Sequence, residues 1–196
     1  MIDAVLLDLG NVLVFHDDAL LLERLSRLGG RTPGEVGAAL APLWRPCNVG
    51  DLAADGLRAA VAEAAGAALD PEAFLDVWNC HFRVHDQVMP LVESLLGRVK
   101  VLLLSNTNAS HFEPLRARLP ILERFDDLVL SYQVGAAKPD REIFEQALRR
   151  AGTRPERTVF FDDIPAYVQA ARQAGLKAEV FTDAPTFARQ LRALGL

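Results

Sequence analysis

The sequence predicts an α/β protein, with a doubly wound parallel sheet and a helical segment inserted after the first strand. Short apolar runs recur along the chain, and the later ones alternate with helical patterns. Such alternation is typical of a parallel sheet with helices on both faces. The stretch from 15 to 86 breaks this rhythm, because it contains no strand-like run and is rich in Ala, Leu, Glu and Arg.

Five apolar runs predict the strands of the sheet. Each run is short and alternates little between apolar and polar residues, as expected for strands that are buried on both faces. The runs are residues 2–7, 101–104, 128–130, 159–161 and the weaker 178–181.

Helical patterns follow the later strands. Residues 141–151 carry apolar side chains at helical spacing on one face. Asp140 is placed to cap the start of this helix and Gly152 to end it. Residues 165–175 and 185–194 show the same pattern.

The inserted segment is predicted to form a helical domain of its own over residues 15–86, so that residues 1–14 and 87–196 form the sheet domain. Glycine and proline residues divide the segment into about four helices. These are expected near 17–28, 34–44, 51–66 and 71–84.

Composition and charge exclude several classes of protein. A chain of 196 residues that is 51% hydrophobic can bury a core without disulfides. The net charge of −5 argues against a nucleic-acid surface, which needs clustered lysine and arginine. The chain has no long uncharged apolar stretch, so we expect no membrane span.

The two cysteines, Cys47 and Cys80, lack the spacing of a zinc site. The N-terminus has no signal-like pattern, so we expect a cytoplasmic protein with reduced thiols. No pattern in the sequence sets an oligomeric state.

Polar residues follow the predicted strands where each strand ends. Because the carboxyl ends of parallel strands meet at one edge of a sheet, we expect these side chains to lie together. The residues are Asp8, Ser105, Asn106, Lys138, Asp162 and Asp163.

This set of side chains predicts metal-assisted phosphoryl transfer. Three neighbouring carboxylates repel one another unless a cation lies among them, and oxygen ligands together with a phosphate suit Mg²⁺. Hydroxyl, amide and ammonium donors complement an oxyanion. A carboxylate beside the metal can attack phosphorus and form an aspartyl-phosphate.

Four ordered motifs resemble those of the haloacid dehalogenase-like (HAD) superfamily of hydrolases. They are VLLDLGNVL (5–13), LLLSNTN (102–108), LSYQVGAAKPDREIF (130–144) and VFFDDI (159–164). The resemblance implies a Rossmann-like core with a helical cap between the first two motifs. The motifs look most like the branch that includes α-glucose-1-phosphate phosphatase-like enzymes.

The resemblance also implies roles for individual residues. Asp8 matches the nucleophile and a metal ligand, and Gly10 matches the position whose carbonyl binds the metal. Ser105, followed by Asn106, matches the phosphate-binding residue. Lys138 matches the lysine that steadies nucleophile and phosphate. Asp163 matches a metal ligand, with Asp162 as a second acid near the ion. The implied enzyme is an Mg²⁺-dependent phosphatase of a small phosphorylated metabolite.

Two departures from the family pattern matter. Gly10 stands where many family members have a general acid, which is typically worth about 10²–10⁴-fold in rate. This favours leaving groups of low pKa, such as those of sugar 1-phosphates. After Asp163, the residues up to Tyr167 lack the usual further acid or Asn, so we expect less support for that carboxylate. Tyr167 either packs against its neighbours or takes the place of the missing polar group.

Two other functions remain open. A 2-haloacid dehalogenase-like hydrolase also lacks the second acid of the first motif but needs no metal, so Asp162 and Asp163 argue against it. A catalytically weak binding or regulatory protein is favoured by Gly10 and opposed by Asp8 and Lys138.

Several further residues are weaker candidates. His81 and His85 are four residues apart on a predicted helix, a spacing that suits metal ligands but is more often that of a surface or hinge pair. His111, on the helix after the second motif, is a candidate to face the phosphate site, and His16, just after the first motif, is a candidate substitute proton donor. Trp44 and Trp78 are expected in the core of the helical segment, and Arg45 could reach an anionic substrate.

Overall fold

The computed structural model describes all residues from 1 to 196. In chain order, the strands are β1 (Ala4–Leu7), β2 (Val14–His16), β3 (Phe82–Val84), β4 (Lys100–Ser105), β5 (Asp127–Leu130), β6 (Thr158–Asp162) and β7 (Lys177–Val180). The helices are α1 (Asp18–Gly29), α2 (Pro33–Leu40), α3 (Trp44–Asn48), α4 (Ala54–Ala65), α5 (Pro71–Asn79), α6 (Met89–Glu93), α7 (Ala109–Arg118), α8 (Ser131–Val134), α9 (Arg141–Ala151), α10 (Pro165–Gln173) and α11 (Ala184–Ala193).

The central sheet has five parallel strands in the order β5-β4-β1-β6-β7. The prediction of a parallel sheet is confirmed, and each predicted run falls on one of these strands. Strand β1 lies in the middle, with Leu7 opposite both Leu103 and Phe161. Asp8 therefore leaves the sheet level with the end of β6, at its carboxyl edge.

Each face of the sheet contributes to a separate hydrophobic cluster. Val5 and Leu7 of β1 belong to a cluster of 25 buried residues that includes Phe112 of α7 and Phe187 of α11. The alternate residues of β1 belong to a second cluster of 15 buried residues, with α9 and α10. Both faces of β1 are therefore covered, which explains its short, almost continuous apolar run.

The helix predicted over 141–151 is present as α9, although Asp140 does not act as predicted. Asp140 is the residue before the helix, but its side chain makes no capping hydrogen bond. It accepts a hydrogen bond at 3.0 Å from the guanidinium group of Arg45 in the inserted segment.

The inserted segment packs around a core of its own. Twelve buried residues, among them Leu21, Leu40, Val61 and Trp78, form a third cluster that is separate from the two sheet clusters. The helix expected over 34–44 stops at Leu40 and continues as a 3₁₀ turn. We call residues 15–86 the cap segment.

The prediction that the cap segment contains no strand is wrong at both ends. β2 and β3 form an antiparallel ribbon in which Phe15 lies opposite Arg83. The helix expected over 71–84 ends at Asn79, because pairing with β2 satisfies the backbone of residues 82–84 instead. His81 and His85 consequently do not share a helix.

Neither cysteine forms a disulfide. Cys47 is buried, and burial raises the pKa of its thiol to about 11, so this thiol is unreactive at neutral pH. None of the helices has the length and apolar composition needed to cross a membrane.

Candidate active site

A cavity of about 320 Å³ lies between the carboxyl edge of the sheet and the cap segment. The residues predicted from the strand ends meet there. Its lining includes Asp8, Gly10, Ser105, Asn106, Lys138 and Asp163, and Asp162 lies fully buried next to this lining. The parallel register thus brings together residues that are up to 155 positions apart in sequence (163 − 8).

Lys138 is the centre of a buried ion cluster. Its Nζ lies 2.7 Å from Oδ1 of Asp8 and 2.6 Å from Oδ2 of Asp162. Burial opposes the charge of the ammonium group, but the two carboxylates outweigh this effect and raise the pKa of Lys138. The lysine is therefore a fixed cation that orients Asp8.

Asp162 has both carboxylate oxygens in use. One accepts the hydrogen bond from Lys138, and the other accepts the backbone N–H of Ile164 at 2.8 Å. This side chain therefore positions the lysine and shapes the turn after β6. Sequence reasoning placed it near the metal but did not find its contact with Lys138.

The acidic residues form a group that fits a divalent cation. Asp8, Asp162 and Asp163 each offer a carboxylate oxygen, and these atoms lie within 4.8 Å of one another. Burial raises the pKa of Asp8 to about 7, although Lys138 opposes this shift. A hard cation such as Mg²⁺ favours oxygen ligands and would stabilise the ionised acids.

Asn11 is a site residue that sequence reasoning missed. Its amide Nδ2 donates to Oδ2 of Asp163 at 3.0 Å. Asn11 has a φ of 52°, a left-handed conformation that asparagine tolerates better than most residues. The residues that follow Asp163 offer it no acid or Asn. Asn11 of the first motif supplies the supporting hydrogen bond instead. The signal available in the sequence was an Asn directly after Gly10 in the first motif.

Asn106 holds the loop that carries Lys138. Its side-chain amide donates to the carbonyl of Lys138 and accepts from the backbone N–H of Lys138, both at 2.8 Å. The predicted phosphate-binding residue Asn106 therefore uses its side chain for positioning. Ser105, at the end of β4, is buried and lines the cavity.

The haloacid dehalogenase-like hydrolase family matches residues 2–175 of the chain. The chain belongs to this family. The expectation raised by the four motifs is therefore confirmed, and the protein is a hydrolase of this family.

Two curated HAD relatives are phosphatases. A D-ribitol-5-phosphate phosphatase of Bacteroides thetaiotaomicron is 27% identical over 191 residues, which is 90% of each chain. A phosphorylated carbohydrates phosphatase of Thermotoga maritima is 38% identical over 81 residues, or 41% of this chain and 37% of that protein.

A solved structure has the same fold. It is that of a HAD family enzyme from Bacteroides thetaiotaomicron in complex with magnesium and inorganic phosphate. It matches with a TM-score of 0.85 at 25% identity, and the match covers 93% of this chain and 95% of that one.

The histidines of this HAD protein lie in different environments. His81 and His111 line the cavity, and burial lowers their pKa values to about 4 and about 3. Both are therefore neutral near pH 7. His85 lies elsewhere, with its Nδ1 3.1 Å from the carbonyl oxygen of Val12.

His16 lies beside Gly10, within hydrogen-bonding distance of the Asn11 amide and of Asp18. Trp44 also lines the cavity, with its ring stacked on Trp78 at 5.6 Å between centroids. Trp78 belongs to the core of the cap segment, as predicted.

Proposed function

We propose that this HAD hydrolase is an Mg²⁺-dependent phosphatase of small phosphorylated metabolites. The observation that carries the proposal is the buried contact of Lys138 with Asp8, next to the oxygens of Asp162 and Asp163. Relatives named as phosphatases, and a structural neighbour solved with magnesium and phosphate, support the same function.

Asp8, the carbonyl of Gly10 and Asp163 would hold the Mg²⁺, and Asp162 would act on it through its charge. The bound ion supplies positive charge that offsets the phosphate oxygens. Asn11 keeps the Asp163 carboxylate in place. This ligand set explains why three acids converge at one end of the sheet.

In the proposed reaction, a carboxylate oxygen of Asp8 attacks phosphorus and the bond to the leaving-group oxygen breaks. The leaving oxygen takes a proton from solvent water, and an aspartyl-phosphate remains on Asp8. Water then attacks this phosphorus, which releases inorganic phosphate and restores Asp8. Lys138 and the hydroxyl of Ser105 balance charge on the phosphate oxygens.

Gly10 favours particular substrates among phosphate monoesters. It has no side chain to protonate the leaving oxygen, so leaving groups of low pKa react more readily. Sugar 1-phosphates have such a leaving group at the anomeric carbon. The motifs are consistent with this choice, because DLGNVL, LSNTN and FFDD resemble the sugar-1-phosphate branch.

The test is phosphate release from hexose 1-phosphates, hexose 6-phosphates, phosphoglycolate and an aryl phosphate, with Mg²⁺ and with EDTA. Asp8→Asn should abolish release, and Asp55→Asn, at an exposed position of α4 outside the cavity lining, is the matched control. Metal-independent halide release from a 2-haloacid would point to a dehalogenase instead. A folded protein that releases neither product would contradict the proposal.

A further inference from the structure

The cavity is poor in positive charge. Of the lysines and arginines in the chain, only Lys138 lines it, and two carboxylates already bind this ammonium group. Arg45, which the sequence suggested for an anionic substrate, is absent from the lining and pairs with Asp140 at 3.0 Å. No fixed cation is therefore free to bind a second anionic group.

Asp18 adds negative charge on the cap side of the cavity. It lies in the first turn of α1 and lines the cavity, with 65% of its side chain exposed. The hydrogen bond from His16 lowers the pKa of Asp18, so the carboxylate is ionised at neutral pH. His16 offsets part of this charge through its Nδ1 contact at 3.3 Å.

The other side chains on the cap side are uncharged. Trp44, Asn48, His81 and Phe82 line this part of the cavity, and burial holds His81 neutral. Aromatic faces and neutral hydrogen-bonding groups suit a hydroxylated group better than an anion. Asp18 is thus the charged group that a leaving group meets beyond the phosphate site.

We propose that Asp18 is a specificity-determining residue that excludes substrates whose leaving group carries a second negative charge. The proposal rests on the phosphatase function proposed above. An anionic leaving group would lose its hydration in the cavity, meet the Asp18 carboxylate and find no free lysine or arginine. An uncharged, hydroxylated leaving group meets no such repulsion.

The experiment compares substrates that differ in one carboxylate. Suitable pairs are glucose 1-phosphate with glucuronic acid 1-phosphate, and glyceraldehyde 3-phosphate with 3-phosphoglycerate, all at saturating Mg²⁺. We expect kcat/KM to favour the uncharged member of each pair by at least about tenfold. Asp18→Asn should reduce this preference by about fivefold, because the side chain is partly exposed and therefore screened.

Charge reversal separates the effect of Asp18 from that of His16. Asp18→Lys should raise kcat/KM for the anionic substrate above that of Asp18→Asn. Asp55→Asn and Asp55→Lys are the matched controls, because Asp55 is exposed on α4 outside the cavity. They should leave the preference unchanged.

Two outcomes would overturn the proposal in different ways. Equal kcat/KM for both members of each pair, or a preference that survives Asp18→Lys, would overturn the charge exclusion and leave the phosphatase function standing. Release of phosphate from none of the substrates by folded wild-type protein would overturn the phosphatase function and this proposal with it.

Discussion

The imidazole ring of His16 lies against Gly10, and its Cδ2 would stand 3.1 Å from a Cβ atom at position 10. The ring therefore occupies the space that a side chain at this position would need. The glycine at position 10 thus leaves the room in the cavity that the His16 ring fills.

A side chain introduced at position 10 should crowd the His16 ring and lower the stability of the fold. Gly10→Asp should lower the free energy of unfolding by about 1–2 kcal/mol through overpacking. The loss should shrink when His16→Ala is present in the same chain, because the ring is then gone. Urea unfolding of the four proteins of this cycle measures the effect. Gly34→Ala, where a Cβ meets open space, is the control that should cause no loss.

Asn11 should control the affinity for Mg²⁺. Asn11→Gly keeps the left-handed backbone but removes the amide that donates to Asp163, so the concentration of Mg²⁺ for half-maximal activity should rise by about tenfold. Magnesium titrations of phosphate release measure this shift. An unchanged titration would show that Asp163 does not need Asn11.

Removal of the Lys138 charge should lower both the stability of the fold and the catalytic activity. Lys138→Met leaves two buried carboxylates without their cation, and breaking such a buried pair costs about 3–5 kcal/mol. Adding Asp162→Asn should recover part of the stability but none of the activity. Stability that is equal in wild type and Lys138→Met would contradict this account of the buried cluster.

Tyr167 should act on the lysine through its ring rather than its hydroxyl group. Lys138 Nζ lies 5.2 Å from the centre of the Tyr167 ring, whereas the hydroxyl oxygen is 3.5 Å from the Asn106 amide. Tyr167→Phe should therefore keep most of the activity, and Tyr167→Leu should lower kcat by about threefold to tenfold. Equal kcat values for the two variants would argue against the ring contact.

The buried histidines should make the protein sensitive to acid. His111 and His81 have pKa values of about 3 and about 4 in the fold, against about 6.5 when unfolded. Below pH 6.5 the unfolded chain binds protons that the folded chain does not, so stability falls as the pH falls. At pH 5 each histidine should cost about 2 kcal/mol.

His111→Phe tests this pH dependence. Phenylalanine keeps an aromatic ring beside Trp78, on which His111 stacks at 4.7 Å, but it binds no proton. The difference in unfolding free energy between pH 7.5 and pH 5 should be smaller in this variant by about 2 kcal/mol. Identical acid sensitivity in both proteins would contradict the role of His111.

The central sheet was predictable because its strands are buried on both faces. Runs such as 101–104 are apolar throughout, so they can be identified as strands from the sequence without knowing which strands they pair with. The β2–β3 ribbon was not predictable, because each strand has three residues and only their pairing distinguishes residues 82–84 from the end of a helix. In such short elements tertiary contacts override local propensity.

The candidate site was likewise predictable only in part from the sequence. Motifs at strand ends identified Asp8, Lys138 and Asp163, because a parallel sheet brings strand ends together. The roles of Asn11 and Asp162 depend on contacts with residues 152 and 24 positions away. No local pattern encodes such contacts, so they became visible only in the folded chain.

Because β2 and β3 run side by side, the chain leaves the sheet and returns to it at almost the same point. An insertion at such a point adds little closure entropy, since that cost grows only slowly with length. The length of the stretch between Val14 and Val84 can therefore change without moving β1, the strand that leads into Asp8. The cap segment, with the proposed specificity residue Asp18, is thus mechanically separable from the sheet edge that holds the proposed nucleophile Asp8.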